Sequence, residues 1–290
     1  MGLYEISLAT IVGINIILAL GLNVISGFCG QISLGHAAFY GVGAYTAALL
    51  AKAGWPMPGT LIAAMIMAGL IGVIVGLTSL RVREDFLAIT TMGVGFLFVG
   101  IVRQQESLLG GELGISGIPA AGLSRPGFLV LVAVLAVFFA AFNVWIKKSW
   151  MGFAFDAVAD DEDAARIVSV DVAAYKLAAF AIGTAMAGLA GALYTYFSRF
   201  IMPDDFGFIT SITVLSMVAA GGIGSVYGVI VSTVILSLVP EFFRFISDYK
   251  LLVYGALLFA VMRFAPGGLA GFARDALELR HRRRSIREVV

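Results

Sequence analysis

Asn23, Gln31, Ser33 and His36 gather in and around "GFCGQISLGHAAFYGVGAY" (residues 27–45), a stretch that is otherwise lipid-like. A second polar group, Ser216, Ser225 and Tyr227, surrounds the glycines of "MVAAGGIGSVYGVI", and Thr90 and Thr91 stand together in a third apolar run. Such side chains can cap broken helices, bond back to their own backbone or line a transient polar route for a solute. They do not suggest catalysis. His36 and His281 lie far apart and Cys29 is the single cysteine, so neither a metal-ligand cluster nor an internal disulfide is expected. The sequence contains no Gly-x-x-x-x-Gly-Lys-Ser/Thr loop, so the chain is not expected to hydrolyse ATP itself or to carry a cofactor.

The elements that position these residues are set by composition. Of 290 residues 60% are hydrophobic and 13% charged, too apolar for a water-soluble core. A net charge of +1 gives no reason to expect a nucleic-acid partner; membrane lipid is the natural surrounding. Runs long enough to cross about 30 Å of hydrocarbon, roughly 20 helical residues, lie near 6–27, 34–53, 59–80, 85–103, 126–146 and 175–197. The run 206–240 carries Gly221, Gly222 and Gly224 in its middle, and helix interiors disfavour glycine by about 1 kcal/mol each. A break is predicted there, as half-spans or as a dip and return, and Gly27, Gly30 and Gly35 predict another near the first two spans. A last run, 250–265, stops at Pro266. The sum is an all-α polytopic bundle of about eight or nine membrane segments, some broken or re-entrant. Gly183, Ala187 and Gly191, like Gly72 and Gly76, recur every four residues and predict close helix contacts.

Arg81/Arg83, Lys147/Lys148 and a tail with Arg274, Arg280, Arg282, Arg283, Arg284 and Arg287 are placed in the cytoplasm by the positive-inside rule. The spans lack mid-membrane Asp or Glu, which argues against proton coupling. Residues 1–272 form the membrane domain and 273–290 a basic cytoplasmic tail. Within the former, about 149–175 is the most polar segment: Asp160, Asp161, Glu162 and Asp163 precede Ala164, Ala165 and Arg166, an arrangement that suits a helix N-terminus. Phe153, Phe155, Ile167 and Val168 offer apolar contacts beside those charges. The segment is long against the roughly 2–8 residues that usually join bundled helices, and it reads as a short amphipathic helix for a partner's groove.

Several stretches in order carry a resemblance: "ALGLNVISGFCGQISLGHAAFYGVGAYTAALL" (19–50), "LRVREDFLAITTMGVGF" (80–96), "GGELGISGI" (110–118), "DEDAARIVSVDVAAYKLAAFAIGTAMAGLAGALY" (161–194), "FGFITSITVLSMVAAGGIGSVYGVIV" (206–231) and "APGGLAG" (265–271). The chain resembles the permease subunits of branched-chain amino acid ABC importers. The resemblance implies a pore shared with a second homologous permease, two cytoplasmic ATPase subunits that bind the ATP, a periplasmic substrate-binding protein, and a bacterial inner membrane. It also implies that 149–177 is the coupling helix. Two features depart from the family pattern: positions 156–160 read "DAVAD" in place of a basic stretch, and Ser169 and Val170 stand where a glycine is common.

On this reading the pathway residues are Asn23, Gln31, Ser33, His36, Thr90, Thr91, Ser216, Ser225 and Tyr227, and the coupling residues run from Asp160 to Arg166. The loop 104–125, with Glu106 and Glu112, would meet the binding protein. The alternatives are the same importer class working on urea, amides or aromatic amino acids, a stand-alone transporter or channel, and a membrane scaffold.

Overall fold

The computed structural model describes residues 2–80, 84–242, 255–256, 259, 263, 267–269 and 271. Arg81 and Arg83, most of the run 250–265 and the tail 273–290 lie outside the described residues. Helix α1 (Leu3–Leu22) passes into a π-helical turn, Asn23–Phe28. Residues 29–35 are non-helical, and α2 (His36–Lys52) follows. Next come α3 (Met57–Ser79) and α4 (Glu84–Gln104). A short α5 (Glu106–Leu109) lies on the way to α6 (Arg125–Lys148). The polar segment folds as α7 (Trp150–Asp160) and α8 (Glu162–Ile167), so it holds two short helices where one was expected. Then follow α9 (Val172–Ser198), α10 (Phe208–Gly221) and α11 (Val226–Phe242).

Among the described residues five helices are long and apolar enough to cross a membrane: α1 with its π turn, α3, α4, α6 and α9. The glycine breaks shorten the others; α2, α10 and α11 have 17, 14 and 17 residues. α10 and α11 fold back on each other, with Gly221 against the Gly228 backbone and the Ser232 hydroxyl donating to the Met217 carbonyl. The run 206–240 is therefore two helices folded back on each other at 222–225.

α9 is the central helix, and its small residues make it so. Gly183 lies against the Gly21 carbonyl of α1, and Gly191 against the Tyr40 carbonyl of α2. On α3, Gly72 admits Thr184 and Gly76 admits Phe180. Such stripes let backbones approach within van der Waals contact. α1 and α6 run side by side in the same direction. Ile6 and Thr10 border one cavity with Arg125 and Phe128, Gly13 meets Val132, and the π turn reaches Lys147. The start of α1 is thus at the Arg125 end of the bundle, opposite Lys147 and Lys148. At the Arg125 end, strands β1 (Ile115–Ser116) and β2 (Phe200–Ile201) pair antiparallel, and Arg103 pairs with Asp204 at 2.7 Å. There Phe206 is buried among Tyr40, Tyr45, Phe98 and Tyr194, at centroid separations of 5.2 to 6.4 Å.

Candidate functional site

The two glycine-rich breaks meet at the Lys147 end. Residues 222–225 turn α10 into α11, and Gly222 and Gly224 take φ of 102° and 81°, a region that glycine enters without steric cost. The Gly224 N–H donates to Oδ1 of Asn23 at 3.0 Å, and the Gly224 carbonyl accepts from Nζ of Lys147. Gly27 sits so near that a Cβ on it would stand 2.6 Å from the Gly224 nitrogen. Gly268, from "APGGLAG", rests on Gly222, where a Cβ would come 2.5 Å from the Gly222 Cα. Glycines from three separate motifs share one junction. Irregular backbone at membrane depth needs such cover by protein.

The first break is roped mainly by side chains of other helices. The Leu34 N–H donates to Oγ1 of Thr91 at 3.0 Å, and the Ala37 N–H to Oγ of Ser211 at 3.0 Å. Inside the break the Ser26 hydroxyl donates to the Gln31 carbonyl at 2.9 Å, and the Gln31 N–H to the Ile25 carbonyl at 3.0 Å. Gly35 touches the Thr91 backbone so closely that a Cβ would overlap its carbonyl. π turns within helices recur at functional sites, and here the turn carries Asn23 to Gly224.

The expected pathway residues fall into different settings. Asn23, Gln31, Ser33, His36, Thr91 and Ser216 are fully buried within the single chain. Asn23 Nδ2, Gln31 Oε1, Ser33 Oγ and Ser216 Oγ have no hydrogen-bond partner among the described residues. His36 lies by Gly21 and stands edge-on to Phe39, and neither of its ring nitrogens has a hydrogen-bond partner among the described residues. Thr90 donates to its own helix at Phe86, and Thr91 also donates back, to Ala88. Ser225 caps α11 by accepting from the Gly228 N–H at 3.2 Å. Tyr227 stands apart from the buried set, 72% exposed on α11.

Lys147 and Ser211 belong to the site and were missed from the sequence. Lys147 reads there as a topology marker, and a lysine in a last helical turn ordinarily serves the carbonyls of its own helix. Here it reaches another helix pair and lies 5.7 Å from the Phe28 ring centroid. For Ser211 the only signal is a hydroxyl in an apolar run.

The segment 149–177 splits its residues between internal and outward roles. Asp161 caps α8, accepting from Asp163 and Ala164 N–H groups at 2.8 and 3.1 Å. Glu162 and Asp163 pair with Arg166, and Glu162 also pairs with the buried Lys176. Asp160 and Ala164 are exposed, whereas Ala165 is buried. Phe155, expected to offer an outward contact, is buried edge-on against Tyr175, because the α7 face that carries it packs inward. The outward apolar surface consists of Trp150 (81% exposed), Phe153, Ile167 (83% exposed) and Val168. Trp150, Phe153, Val168 and Tyr175 border a cleft of about 350 Å³. Crowding by protein raises the Asp156 carboxyl above the usual range, Lys147 opposes that, and Asp160 adds to it. α7 also reaches the first break, since a Cβ on Gly30 would stand 3.1 Å from the Cα and Cβ of Ala159.

The arrangement can therefore pass a displacement of α7 to the first break through Gly30. Asn23 and Gly27 in turn join the first break to the second. The profile of the family described as branched-chain amino acid transport system / permease component matches residues 5–262. The high-affinity branched-chain amino acid transport system permease protein LivM of Escherichia coli is 34% identical over 306 residues, covering 95% of this chain and 72% of the relative. The permease protein LivH of the same organism and system is 25% identical over 281 residues, covering 88% of this chain and 90% of the relative. A probable branched-chain amino acid transport permease protein LivM of Methanocaldococcus jannaschii is 25% identical over 235 residues, covering 73% and 68%. No solved structure matches.

Proposed function

Because the chain belongs to the branched-chain amino acid transport permease family and is a multi-pass membrane protein, we propose that it forms one half of the pathway of an ATP-driven importer in a bacterial inner membrane. Its cargo is a branched-chain aliphatic amino acid. A sister permease supplies the other half, a reading supported by its likeness to both LivM and LivH. Two ATPase subunits bind the nucleotide, so this chain needs no cofactor, and a periplasmic binding protein delivers the solute to the face bearing 104–125.

The mechanism follows from the junction. Closure of the ATPases loads the outward apolar surface of α7 and α8. α7 bears on Gly30, and the π turn shifts against the α10–α11 hairpin held by Asn23 and Lys147. Unpaired buried polar atoms cost free energy unless water or another partner reaches them. Gln31, Ser33 and Ser216 therefore favour states in which the seam is wetted, which is what passage of a zwitterionic solute requires. Asp160 to Arg166 hold the shape of the coupling segment, and its apolar residues make the contact.

The observation that carries this reading is the packing of Gly30 on Ala159, which joins the partner-facing segment to the buried polar set. The test is Ala164→Arg, at an exposed position, in the assembled transporter. Association of the ATPases and uptake should fall sharply while membrane insertion persists. Co-purification of a normal complement of ATPase would count heavily against the coupling role. Gln31→Leu should slow uptake without loss of assembly; unchanged kinetics would remove Gln31 from the pathway.

A further inference from the structure

At the Arg125 end, a cavity of about 300 Å³ opens between the starts of α1 and α6 and the end of α9, a size at the lower end of small-ligand sites. Arg125 and Arg199 both line it, and neither guanidinium group makes an ion pair or hydrogen bond with any described residue. Arg103, at the same end, is by contrast paired with Asp204. Two guanidinium groups on one cavity, without a partner among the described residues, repel each other, and cations near span ends are scarce opposite the lysine-rich side. Arg125 also occupies the first turn of the 24-residue α6, where the helix dipole disfavours a cation and favours an anion. Both features are unfavourable alone, and an anion between the two side chains relieves both.

The nature of the anion follows from the other walls. Ser7 and Ser198 donate to the carbonyls of Leu3 and Phe200, so the free donors come from the guanidinium forks, which match phosphate oxygens in pairs. Ile6 and Phe128 supply apolar walls where three membrane helices end. We infer that this cavity binds the phosphate group of a membrane phospholipid, in the leaflet opposite the Lys147 end. The inference does not depend on the transported solute or on ATP coupling.

The experiment is native mass spectrometry of the full transporter extracted from its membrane, with phosphatidylglycerol and inorganic phosphate as separate probes. Wild type should retain phosphatidylglycerol, and R125Q/R199Q should bind it about tenfold or more weakly, the effect of losing one charge-assisted hydrogen bond. R103Q, which breaks an already paired arginine, should leave retention unchanged. Displacement of the lipid by millimolar phosphate would confirm the phosphate chemistry, whereas binding of phosphate with no lipid retention would overturn the lipid assignment. If R125Q/R199Q does not assemble, S7D places a carboxylate on the cavity wall and should expel the lipid. Equal retention by wild type and either variant would overturn the proposal, as would loss in R125Q/R199Q of binding-protein association with lipid retention intact.

Discussion

The two breaks solve one problem with opposite means. The first, residues 29–35, takes hydroxyls from α4 and α10, through Thr91 and Ser211, and lies directly against α7 at Gly30. The second, residues 222–225, is held by groups that belong to or border the first: Asn23, Gly27 and Lys147. Gly268 closes it from another side. The first break is therefore anchored broadly and touched by α7. The second follows it through a few contacts.

The largest expected effect tests that asymmetry. Gly35→Ala forces backbone apart at Thr91, and overpacking of this kind costs about 3 kcal/mol or more. Little assembled protein should be recovered, and thermal unfolding in detergent is the measurement. Gly224→Ala meets a strained φ and the Gly27 carbonyl at 2.9 Å, for about 1–2 kcal/mol. A larger loss at Gly224 than at Gly35 would reverse the comparison. Asn23→Leu comes next, since it strands the buried Gly224 N–H at a cost of about 1–3 kcal/mol; full stability in the same assay would show that the breaks are not tied there. Lys147→Met removes one charged bond to the turn and should lower ATP-driven uptake by about tenfold, with the ATPases still bound. Uptake at wild-type rate would detach Lys147 from the pathway. The smallest effect is a gain. Ser169 adopts φ 66° between α8 and α9, so Ser169→Gly should raise stability by about 1 kcal/mol, seen as a higher midpoint in detergent. A lowered midpoint would mean that the serine is chosen for a contact.

That position shows how far the chain is legible before folding. The absence of the family's glycine at 169–170 is visible in the sequence, but the left-handed backbone that gives it meaning is not. The broken span 206–240 is legible because glycine weakens helices locally; whether its halves continue or return was open until Ser232 met Met217. Phe155 and Ala165 sit in a segment read as partner-facing, yet both are buried, because helix phase decides which side of α7 and α8 packs inward. Lys147 is the clearest case, since its charge indicates topology while its hydrogen bond crosses 77 residues of sequence.

By itself the sequence determined a polytopic helical membrane protein, its breaks, its small-residue seams and its family, all consequences of composition and short-range pattern. Hydrophobicity and glycine act over one or two turns, so they can be read along a line. Only tertiary structure decided that three glycine motifs meet at one junction, that Asn23 and Lys147 hold it, and that Arg125 and Arg199 face one cavity. Those are contacts between residues far apart in the chain, and their energies depend on distance in space.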